Sequence, residues 1–149
     1  MSSKISAKDF VLLLLNSNGN QEINGKLYFQ KEMFLVVKEI YPDLDVELKF
    51  EPYQYGSYSK KQLALLDNLE SESLINIQNH NNTCTYSITE KGIGEIEISQ
   101  FNDEIIEKMQ NLKINSNNLG YKGLLHYVYF NYPKYTEKSK IKNKILGDN

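Results

Sequence analysis

Arginine is absent from this chain, and all 17 of its basic residues are lysines. The guanidinium fork is the commonest bidentate reader of guanine and the best planar clamp for phosphate, so strong base-specific recognition lacks its usual instrument. A single cysteine, Cys84, excludes an internal disulfide and offers no metal-ligand pair, which favours a reducing, cytoplasmic setting. No long apolar run occurs. The stretch Phe10–Leu15 follows Lys4, Lys8 and Asp9 and is too short for a secretory h-region or a membrane span, so a buried first helix is expected, with no membrane partner. Neither a GxGxxG after a strand nor a GxxxxGK[ST] is present, so nucleotide hydrolysis has no support.

What the chain does contain is an ordinary globular balance, 40% hydrophobic and 24% charged residues, over a length of 149 that suits one domain. Its charge is uneven. From Gly120 onward six lysines (122, 134, 138, 140, 142 and 144) face only Glu137 and Asp148, a net +4 that leaves −6 on the rest of a chain totalling −2. A basic end on an acidic body can orient a polyanion or an acidic partner, while the plainer reading is a solvated terminal helix.

Periodicity places the elements. Ser6 precedes a helix over "AKDFVLLLLN" that stops at the loop "NSNGN". A second helix runs from Lys26 to Tyr41 with Leu27, Met33, Phe34, Val37, Ile40 and Tyr41 on its apolar stripe, ended by Pro42. "VELKFEPY" reads as a short extended segment limited by Pro52 to an edge. Ser59, three residues before Gln62, forms a capping-box pattern that opens a third helix near Lys60 with Leu63, Leu65, Leu66 and Leu69 inward. Two runs rich in Ile, Thr and Tyr, split by "NHNN", predict a hairpin over residues 74–88. Thr89 caps the next helix, weakened by Gly92 and Gly94. "NDEIIEKMQNLKI" follows, with Ile105, Ile106, Met109 and Leu112 facing inward, then a loop at "NSNN", a helix "LGYKGLLHYVYFNYP" and a short last helix "SKIKNKIL" capped by Ser139. The fold class this order predicts is mainly α (α+β), a winged helix-turn-helix with a two-stranded hairpin wing and a C-terminal helical extension. Residues 1–100 form the winged-helix core and 101–149 the extension of a single domain.

Four blocks in the same order, "GKLYFQKEMFLV", "FEPYQYGSYSKKQLALLDNLESESLI", "YSITEKG" and "YPKYTEKSKIKNKIL", resemble the prokaryotic YwgA-type proteins, related to the SocA-like or Panacea antitoxin domains. The chain departs from that pattern at Ser57, where a proline is usual after the glycine, and at Glu32, where a leucine usually follows the Gln-Lys pair. The resemblance implies a winged-helix-like protein found near phages, defence systems and toxin-antitoxin pairs, with members that bind proteins or regulate, and it implies no catalytic residues.

The inventory for catalysis is poor. Cys84 and His80 sit on and beside the hairpin and would have to face each other to act as nucleophile and base, whereas a strand cysteine is usually a small buried hydrophobe. His126 in "LLHYVYF" reads as a packed core histidine, and the acidic pairs Asp43 with Asp45 and Glu95 with Glu97 read as surface carboxylates. No catalytic, cofactor-binding or metal-ligating residue is assigned, and no cofactor is expected.

Two binding readings remain. For a protein partner the candidate is the aromatic turn, Tyr53, Tyr55 and Tyr58 around Gly56, with Tyr58 exposed and Tyr53 or Tyr55 wedged between helices. A second aromatic group, Tyr129, Tyr132 and Tyr135, grips a partner or closes the C-terminal helix over the core. For DNA the candidate is helix 60–71, with Lys60, Lys61, Ala64, Asp67, Asn68 and Ser71 facing outward. The hairpin tip Gln78–Asn82 and Lys140, Lys142 and Lys144 add to it, acting in a homodimer because one copy would bind weakly. The leading expectation is a non-enzymatic regulatory or protein-interaction module of a prokaryotic defence, phage or toxin-antitoxin system. The alternative is a dimeric winged-helix DNA-binding transcriptional regulator.

Overall fold

The computed structural model describes residues 5–53, 56–99 and 101–136. The run Phe10–Leu15 is buried throughout and forms the middle of α1 (Ala7–Asn20). Asp9 accepts the Ser6 N–H at 2.9 Å, satisfying an otherwise orphan donor at the helix start. The regular helix ends where "NSNGN" begins: Ser17 leaves helical geometry, and Asn18, Gly19 and Asn20 take φ of 57°, 67° and 60°.

A two-residue strand, β1 (Ile23–Asn24), leads into α2 (Lys26–Leu35), which widens into a π-helical turn over Val36–Ile40. There the Tyr41 N–H donates to the Val36 carbonyl five residues back, at 2.8 Å. Pro42 ends the helix as expected and starts a 3-10 turn (Pro42–Leu44), followed by a single helical turn, α3 (Asp45–Leu48). The extended segment expected from Val46 therefore begins only at Glu51. Val46 to Leu48 are helical, and Lys49 turns the chain with φ 50°.

Two three-residue strands, β2 (Glu51–Tyr53) and β3 (Gly56–Tyr58), pair antiparallel in the register Glu51↔Tyr58, Pro52↔Ser57 and Tyr53↔Gly56. Next comes α4 (Lys60–Ser71), then the expected hairpin, β4 (Ile75–His80) and β5 (Thr83–Ile88), reversed by Asn81 and Asn82 at φ 46° and 70°. Paired positive φ values are what a two-residue type I′ reversal demands, and asparagine tolerates them. β1 adds to β5, giving a three-stranded antiparallel sheet in the order β1-β5-β4.

α5 (Glu90–Ser99) is capped by Thr89, whose hydroxyl accepts the Gly92 N–H at 3.1 Å. Gly92 is required by contact: a Cβ there would run into the Leu74 carbonyl and the Ile88 side chain. α6 (Asp103–Asn131) then runs for 29 residues. "NSNN", expected as a loop, lies inside it, because Ser116 packs into the core and Asn117 bonds to neighbouring elements. The only departure from helical geometry in α6 is Gly120, at φ 72° and ψ 175°, a conformation open essentially to glycine alone. A 3-10 turn over Pro133–Thr136 follows. The expected helix "SKIKNKIL" lies outside the described residues.

Over the described residues the fold is mainly helical with two small antiparallel sheets. α2 is its centre, packing against α6, β3 and β5, while α1 packs against α5, α6 and β5. Phe34 on α2 meets the rings of Phe50, Tyr132 and Tyr135 edge-on at 5.4, 5.2 and 4.8 Å, and Tyr129 is fully buried, so these tyrosines close the end of α6 over the core. Two expectations on α6 are corrected. Ile106 is 42% exposed, and His126 is a surface residue stacked on Phe130, itself 71% exposed. No described helix is long and apolar enough to cross a membrane.

Candidate functional site

The backbone of β3 and of Ser59 after it is held from beneath by two of three consecutive α2 residues that look like surface positions in the sequence. Gln30, Lys31 and Glu32 are all 0% exposed. The Gln30 amide pairs with the backbone of Ser59 as a strand would: its Oε1 accepts the Ser59 N–H at 2.8 Å, and its Nε2 donates to the Ser59 carbonyl at 2.9 Å. Lys31 donates to the Ser57 carbonyl at 2.8 Å, and burial lowers its ammonium to about 7. The Ser59 hydroxyl donates to the Leu48 carbonyl and accepts the Gln62 N–H at 3.0 Å, capping α4.

The capping box is thus half realised. Gln62 cannot reach back to the Ser59 N–H, because Gln30 already occupies it. The Gln62 side chain is instead buried without a hydrogen-bond partner among the described residues, as is the Ser57 hydroxyl. Beside them, both carboxyl oxygens of Glu32 are also buried without a partner, and burial raises this group to about 8 against the opposing pull of Lys113.

Lys113, on α6, was not singled out by sequence reasoning. It is 1% exposed and donates to the carbonyls of Leu15, Ser17 and Gln21 at 3.1, 2.8 and 2.5 Å, capping the irregular end of α1. Burial lowers it to about 8, with Glu32 acting in the other direction. The one signal in the sequence was a lysine between leucine and isoleucine in "NLKIN".

Of the aromatic turn, Tyr58 is half-buried and not exposed as expected, since β3 packs on α2 and on the 3-10 turn after α6. The side chains of Tyr53 and Tyr55 lie outside the described residues. On α4, Lys60, Lys61, Ala64, Asp67, Asn68 and Ser71 are exposed on one face, and Leu66 and Leu69 are buried on the other, as the period requires. Asp67 and the exposed Glu70 share the accessible side, so the surface carries mixed charge. Lys140, Lys142 and Lys144 lie outside the described residues.

On the hairpin, Cys84 stands opposite Asn79 and donates to its Oδ1 at 2.8 Å, whereas His80 pairs with Thr83. The two are thus not cross-strand neighbours. Among the described residues no group of three or more His, Cys, Asp or Glu side chains is arranged to hold a metal ion. A cluster that sequence reasoning did not single out joins the π turn to α6: the Glu39 Oε2 accepts the hydroxyls of Tyr127 and Tyr132 at 2.7 and 2.8 Å. No protein-family model matches the chain, and no curated protein matches it either.

Proposed function

We propose that the chain is a non-enzymatic interaction module that docks on a protein partner through the β2–β3 turn and Tyr58. The setting the resemblance implies is a prokaryotic defence, phage or toxin-antitoxin system. The observation that carries this reading is the way Gln30 and Lys31 pin the backbone of Ser57 and Ser59 from inside the core. Backbone fixed in advance on either side of Tyr58 loses little conformational freedom on binding, and a tyrosine carried on it suits a docking contact. In this reading α4 and the β4–β5 hairpin correspond to the third helix and wing of a winged helix.

The second reading, a dimeric DNA-binding regulator, draws on the exposed face Lys60, Lys61, Ala64 and Asn68. Asp67 within that face and the absence of arginine weigh against it. To separate them, a photo-crosslinking residue is placed at Tyr58 and, as control, at Val46, which is 77% exposed on α3. Adducts with one protein in the native host from position 58 and none from position 46 are expected. A salt-steep DNA gel shift abolished by Lys60→Glu with Lys61→Glu, with no protein adduct at 58, overturns the proposal in favour of the second reading.

A further inference from the structure

Between the π turn and α6 lies an open cleft of about 320 Å3, at the lower end of volumes typical for small-molecule sites. It is separate from the docking turn, since no residue of β2, β3 or α4 lines it. Leu112, Leu119 and Leu124 give it an aliphatic wall, and Glu39, Tyr127 and Lys108 stand among its polar residues. The π turn carries Glu39 into this position, and such helix bulges recur at functional sites.

Glu39 is an oriented acceptor. The two tyrosine hydroxyls hold its Oε2, and the hydrogen bond to Glu39, with burial and then the carboxylate charge, pushes the Tyr127 hydroxyl up to about 12, so that group stays a donor. Among the described residues no lysine forms an ion pair with Glu39, while Lys108 is engaged by Glu104 at 3.1 Å. The uncompensated charge at the cleft is therefore negative and fixed in direction, beside an apolar wall. An anion would be repelled by Glu39, and a neutral apolar molecule would leave the carboxylate unused.

We propose that this cleft binds a primary ammonium carried on a short apolar body, with the charge on Glu39 and the body over Leu112, Leu119 and Leu124. Two sources supply that chemistry: a free alkylamine, or a lysine side chain flanked by leucines in a peptide. A carboxylate held by two hydroxyls loses little freedom when the cation arrives, and a charge-assisted contact is about twice as strong as a neutral one.

The test titrates the full chain, labelled with nitrogen-15, with n-hexylamine, n-hexanol and the blocked tripeptide acetyl-Leu-Lys-Leu-amide at neutral pH. Saturable amide shifts confined to the cleft are expected with hexylamine, the tripeptide or both, weakened about tenfold in Glu39→Gln as charge assistance is lost. Glu39 is exposed and a glutamine Oε1 can still accept from Tyr127 and Tyr132, so the fold is expected to persist, with ligand-free shifts changed only near those two tyrosines. Saturation by hexylamine alone assigns a free amine, and saturation by the tripeptide alone assigns a lysine side chain. The proposal is overturned by hexanol binding as tightly as hexylamine, by Glu39→Gln binding like the parent, or by neither ammonium compound saturating.

Discussion

At the scale of single residues, Glu32 is the position where burial and charge conflict most directly. Its carboxyl is fully enclosed on α2, neither oxygen has a partner among the described residues, and the nearby ammonium of Lys113 is committed to three carbonyls of another segment. Desolvation therefore outweighs Lys113 and raises the group from 4.5 to about 8. The sign for stability follows from proton counts. Below about 4.5 both folded and unfolded chains hold the proton, and between 4.5 and 8 only the folded chain does. Stability is then lost as pH rises through that window, by up to about 1.4 kcal/mol per pH unit, and levels off above it. Lys31 slopes the other way, because above about 7 the unfolded chain holds a proton that the folded one lacks. The interval from about pH 5 to 7 lies inside the Glu32 window and below the midpoint of Lys31. Glu32→Gln is expected to flatten denaturation midpoints across that interval and to exceed the parent in stability at its upper end. An unchanged pH slope in the variant would show that the buried carboxyl is ionised.

At the scale of elements, the β2–β3 turn is held by side chains of a distant segment more than by its own pairing. Two three-residue strands, one containing Pro52, are too short to persist in water. Gln30 supplies both a donor and an acceptor to Ser59, making α2 act as a third strand at that edge. Removing it leaves at least the buried Ser59 N–H unmatched. Gln30→Ala is expected to cost about 2–3 kcal/mol in chemical denaturation, the range for an orphaned buried group plus lost packing. It should also speed amide exchange at Ser57 and Ser59, whereas Gln78→Ala on the exposed hairpin changes stability by less than about 0.5 kcal/mol. A cost for Gln30→Ala no larger than for Gln78→Ala, with exchange unchanged, would mean that the turn supports itself. The same comparison explains which elements were legible in the sequence. The β4–β5 hairpin was, because two asparagines that accept positive φ sit between β-rich runs, and α4 was, because Ser59 caps it locally. β3 was not, because what forms it lies 26 and 29 residues away on a helix.

At the scale of the whole molecule, helices were found where an apolar period exists, while their rank within the core was not. α2 shows polar residues at Gln30–Glu32 and reads as an amphipathic surface helix, yet it is enclosed on every side along that stretch because α6, β3 and β5 surround it. "NSNN" reads as a loop on local preference, and tertiary contacts through Ser116 and Asn117 keep it helical. The candidate site was legible only in part. The exposed lysines of α4 followed from periodicity, but the buried grip on the turn and the Glu39–tyrosine cluster join residues that only the fold brings together. These features bear on the division at residue 100, since Met109, Leu124, Leu125, Val128 and Tyr129 of α6 belong to the same core as Phe10, Phe29 and Leu69. α6 also brings Lys113, which satisfies three carbonyls at the end of α1. A chain cut after residue 100 exposes the apolar faces of α1 and α2 and orphans those carbonyls. Residues 1–100 are accordingly expected to give a poorly dispersed amide spectrum and no cooperative thermal transition, while the full chain melts in one step. A cooperative melt and a dispersed spectrum from residues 1–100 would establish that α6 covers a core already complete without it.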